Sequence, residues 1–86
     1  MSETGKKLMI LLKEIYNDHD FVCGTMSNCG NEEALKELYD YISYAKAHNK
    51  AVTSDEILLL SLVIGDGDEK EKKRLFRKGG VAVATL

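Results

Sequence analysis

His19, Cys23, Cys29 and His48 are the only imidazole and thiol groups in the chain. Two histidines and two cysteines form a donor set that suits tetrahedral zinc. Their spacing does not. Five residues separate the two cysteines, against roughly two to four in structural zinc sites, and the histidines are not a close pair. No metal and no other cofactor is therefore expected. A metal or ligand site using His19, Cys23, Cys29 and His48 is the alternative reading.

Cys29 also falls just ahead of a stretch with helical spacing, where the positive end of a helix lowers a thiol pKa. Glu32 and Glu33 oppose that shift. A Cys29–His19 pair is raw material for nucleophilic catalysis. No third partner and no oxyanion arrangement is recognisable, so no enzyme is expected. Asp66-Gly67-Asp68-Glu69 lacks the frame of a calcium loop and reads as a turn.

Two groups of residues suit contact with another protein. Tyr41, Tyr44 and His48 share one side of a helical stretch, flanking its apolar stripe. Half-buried tyrosines carry an apolar body and a wet end, which favours interfaces. Phe21 and Met26 of the preceding segment would extend that surface. The alternative is a basic contact through Arg74, Arg77 and Lys78. Residues 68–78 hold six bases and three acids, whereas the rest of the chain holds six bases and eleven acids.

The elements that must position these groups are helical. A first helix is expected over about 3–17, where Leu8, Leu11, Leu12 and Ile15 follow helical spacing and Ser2 or Thr4 can cap. Residues 18–30 show no helical period and are expected to be an irregular loop. A second helix is expected over about 32–48, with Asn31 as cap, Leu35, Leu38, Ile42 and Ala45 as core and Asn49 as left-handed stop. Thr53 with Glu56 reads as a capping box opening a third helix that stops at Gly65, with Val52 and Ile57 as a staple. That helix is apolar nearly all round and is expected to be the most buried. A short fourth helix is expected over about 69–78, acidic at its start and basic at its end. Residues 81–85 are expected to be strand-like or a loose tail.

The 86 residues therefore point to an all-α protein, a small three- to four-helix bundle of one domain over 1–78 with a tail at 79–86. A net charge of -2 argues against a dedicated nucleic-acid binder, which would need to neutralise phosphates. No apolar run approaches the ~20 residues of a membrane span. The N-terminus lacks the features of a signal peptide, so a cytoplasmic location and reduced cysteines are expected. So short a chain buries a modest share of its surface, and contact with a second copy or a partner would extend its core. The expected function is a small non-catalytic interaction or regulatory module, either self-associating or binding a protein partner.

Overall fold

The computed structural model of the chain describes residues 2–67 and 69–78. Five helices follow one another: α1 (Glu3–Ile15), α2 (His19–Cys29), α3 (Glu32–Ala47), α4 (Ser54–Asp66) and α5 (Glu69–Lys78). No strand occurs among the described residues. The all-α bundle expected from periodicity is what the chain forms; the 79–86 tail lies outside the described residues.

Each of the first four helices opens on a side chain that accepts a backbone N–H left without a helical partner. Ser2 accepts from Gly5 (3.0 Å), Asp18 from Phe21 (2.9 Å), Asn31 from Ala34 (2.8 Å) and Thr53 from Glu56 (3.2 Å). Left-handed residues close three of these helices: Gly30 (φ 78°) follows α2, Asn49 (φ 56°) follows α3 and Gly67 (φ 75°) follows α4. Asn49 is the stop that its residue type suggested.

The segment 18–30 is the main correction. It is not an irregular loop but a three-turn helix, α2, which raises the count to five. Its buried residues are Phe21, Val22, Thr25 and Cys29. Two of these four are not obviously apolar, so hydrophobic spacing alone misses the stripe. Gly24 and several small polar residues also lower its intrinsic helix propensity. The helix holds because it packs along α4. The first helix ends two residues earlier than expected, at Ile15, because Tyr16 turns to an extended conformation (φ −153°).

α2 packs most closely on α4, and α1 on α3. These two helix pairs lie against each other around Leu8, Leu12, Phe21, Val22, Leu38, Tyr41, Ile42, Ile57, Leu60 and Ile64. α5 docks on α4 and reaches α3 through Lys72. The buried Lys72 ammonium lies 3.0 Å from Glu37 and 2.9 Å from Glu69. Burial alone would lower its pKa, but the two carboxylates more than offset this and raise it.

Two glycines near the end of α4 serve different purposes. The expected stop at Gly65 lies inside the helix, which runs on to Asp66 and closes at Gly67. Gly65 is instead a point of close approach. A Cβ built there would sit 2.1 Å from the carbonyl oxygen of Asn28 on α2. The same Asn28 donates through Nδ2 to Ser61 Oγ (3.1 Å), and that hydroxyl donates to the Leu58 carbonyl (2.7 Å).

Candidate functional site

The structure brings together only two of the four candidate metal ligands. His19 and Cys23 lie one turn apart on the exposed side of α2, with Cys23 Sγ 3.6 Å from Nε2 and 3.7 Å from Nδ1 of the ring. Cys29 is the last residue of α2 and only 1% exposed. His48 follows α3, where Nδ1 contacts the Tyr44 carbonyl (2.9 Å) and the ring stacks on Tyr44 at 4.0 Å. No group of three or more His, Cys, Asp or Glu side chains able to hold a metal ion occurs among the described residues.

Cys29 departs from the expected electrostatics. Its place ahead of α3 sets a helix terminus, which lowers a thiol pKa, against Glu32 and Glu33, which oppose that shift. Burial instead pushes the thiol up, from 9.0 to about 11, with Glu37 adding to the shift. Desolvation of the thiolate outweighs the helix terminus. The Cys29–His19 pair has no counterpart either, because His19 lies against Cys23.

The aromatic surface is also rearranged. Tyr41 is 6% exposed and Phe21 is 4% exposed; both belong to the core rather than to a half-wet flank. The Tyr41 hydroxyl is raised in pKa by burial and by Glu56. Phe21 meets Tyr16 at 5.7 Å between ring centres. Tyr44 and Met26 pack in part against the core, and His48 is exposed. What that flank offers to solvent is the Tyr44–His48 stack. Of the alternative basic set, Arg74 is exposed and paired with Glu71; the side chains of Arg77 and Lys78 lie outside the described residues.

The surface that sequence reasoning missed is on α4. The expectation of a helix buried on most sides is corrected: Leu59 and Leu62 are each 49% exposed. The seam with α2 explains why. Ser61 and Gly65 must face Asn28, which sets the rotation of α4 about its axis. At ~100° per residue, Leu62 then lies ~100° and Leu59 ~160° around the helix from Ser61. Those directions face away from α2 and the core. Between Glu56 and Asp66 the sequence has no charged residue to cover that side. A lone exposed leucine is ordinary, but two on one helix face form a patch.

A second apolar spot lies between α1 and α3, where Lys7, Ile10, Leu11, Glu14 and Tyr39 line a shallow groove of about 220 Å³. Ligand pockets run roughly 300–1,000 Å³, so this groove is small for a cofactor or metabolite. Glu14 in its wall is engaged by Lys46 at 2.6 Å.

No protein-family model, no curated protein and no solved structure matches the chain. No helix among the described residues is long and apolar enough to cross a membrane.

Proposed function

We propose that this chain is a small, non-catalytic, cytoplasmic interaction module whose contact surface is the outward side of α4. One observation carries the reading: Leu59 and Leu62 are both half-exposed on a helix that has no charge between Glu56 and Asp66. A helix face that looks only at water is normally polar. Leaving two leucines there has a use when another protein covers them.

The test uses the full chain as bait in an extract of its own host. Leu59→Glu and Leu62→Glu are compared with Ile10→Glu, which alters an exposed apolar residue on α1. The expected result is a protein retained by the wild type and by Ile10→Glu but lost from both α4 variants. Identical sets of co-purifying proteins on all four baits would remove α4 as the contact surface.

A further inference from the structure

We infer that the α4 surface receives a cationic amphipathic helix from another protein, an inference that rests on α4 being the contact surface. Charge placement carries it. Asp55, Leu59, Leu62 and Asp66 are spaced i, i+4, i+7 and i+11, so they share one face of α4. That face therefore has a carboxylate at each end, ~16 Å apart along the axis, with the two leucines between them. Glu56 adds a second carboxylate at the first end, and Asp55, Glu56 and Asp66 are all exposed.

No cation on these helices offsets those charges. The sequence has no Lys or Arg between Lys13 and Lys36, nor between Lys50 and Lys70. α2 and α4, the most closely packed pair, therefore carry Asp20, Asp55, Glu56 and Asp66 with no Lys or Arg, and Asp18 caps α2. Five carboxylates elsewhere have a cation, whereas the exposed Glu3, Glu32 and Glu33 in the first turns of α1 and α3 form no ion pair among the described residues. Glu14 pairs with Lys46, Asp40 with Lys36, Glu37 and Glu69 with Lys72, and Glu71 with Arg74. Every ion pair among the described residues thus lies on α1, α3 and α5.

An apolar strip with an acidic residue at each end selects a partner by charge. Nucleic acid and anionic lipid carry the wrong sign. A second copy meeting α4 across a two-fold axis also fails. Antiparallel pairing sets Asp55 against Asp66 of the other copy, and parallel pairing sets each aspartate against itself. The complementary shape is a helix whose aliphatic side chains interlock with Leu59 and Leu62. Its flanking Lys or Arg residues then meet the carboxylates at both ends.

Two synthetic peptides test this, built on the same stapled helical frame with the same central leucines. One carries Lys at the flanking positions and the other Glu. Each is titrated into the isotopically labelled full chain, with backbone amide shifts as the readout, which registers millimolar contacts. The Lys peptide is expected to shift resonances of α4 and the adjoining α2. Its affinity should fall ~3- to 10-fold in the Asp55→Asn/Asp66→Asn double variant and weaken with added salt. Leu62→Glu should abolish binding, and circular dichroism checks that this variant keeps its helices. Equal binding of both peptides would retain α4 as the contact surface and overturn the cationic partner. Binding of neither peptide would remove the α4 surface itself. A mass that rises with protein concentration, and that Leu62→Glu restores to the monomer value, would assign the surface to a second copy and overturn the inference.

Discussion

Thr25 shows how a polar side chain can belong to a core that it does not favour. It is fully buried on the inner side of α2, and its hydroxyl has no hydrogen-bond partner among the described residues. An unpaired buried hydroxyl costs about 1–3 kcal/mol in desolvation. Valine has nearly the same shape and comparable helix propensity. Thr25→Val is therefore expected to stabilise the fold by ~1 kcal/mol, seen as a higher urea midpoint with an unchanged slope. A lower midpoint would mean that the hydroxyl has a partner after all. Lys72 is the contrasting case. Its side chain is also buried, though less completely, and two carboxylates receive its ammonium, so the burial is compensated.

At the scale of the elements, legibility followed what repetition and caps can encode. α1, α3 and α4 announce themselves through leucine spacing and through Ser2, Asn31 and Thr53. α2 does not, because Thr25 and Cys29 fill core positions that a hydrophobic count leaves out. Its readable signals were Asp18, which accepts from Phe21, and Gly30, which turns left-handed at its end. The exposed side of α4 was illegible for another reason. A helix that is apolar all round does not state which side is covered, and the answer depends on Asn28, more than thirty residues away. The same seam predicts the effect of Gly65→Ala. Alanine is the better helix former by about 1 kcal/mol. Its Cβ, however, would lie 2.1 Å from a backbone carbonyl that cannot swing aside. Overpacking of this kind costs ~1–3 kcal/mol or more, so the steric cost wins. The variant should melt at a clearly lower temperature than the wild type. A melting point raised by the change would show that α2 and α4 do not approach closely.

For the whole molecule, the candidate metal set and the aromatic flank were read from residue types that the fold then separated. His19 and Cys23 face solvent, Cys29 closes α2 inside the core, and Tyr41 and Phe21 fill the interior. Burial also sets how stability responds to alkali. Cys29 and Tyr41 hold their protons more tightly in the folded chain through burial, and Lys72 does so through its two carboxylates, against burial. A raised folded pKa gives stability that is complete below the unfolded value and lost as pH rises through the folded one. For Cys29 that window opens near pH 9.0 and closes near about 11. Over it the wild type is expected to lose ~2 kcal/mol through this thiol. Urea midpoints at pH 8 and pH 11 measure the loss, and Cys29→Ala should show a shallower decline. Equal declines in the two proteins would mean that Cys29 is wet.

The close approach at Gly65 has a mechanical consequence. The missing side chain is a notch one residue wide, and the Asn28 carbonyl sits in it. Sliding α2 by a turn along α4 would drive that carbonyl onto a residue that has a side chain, so the notch opposes shear between the two helices. α2 also carries the exposed Cys23, so that thiol rides on the helix that is keyed to α4. A dye attached to that thiol would report on contacts made at the outer side of α4 without standing in their way.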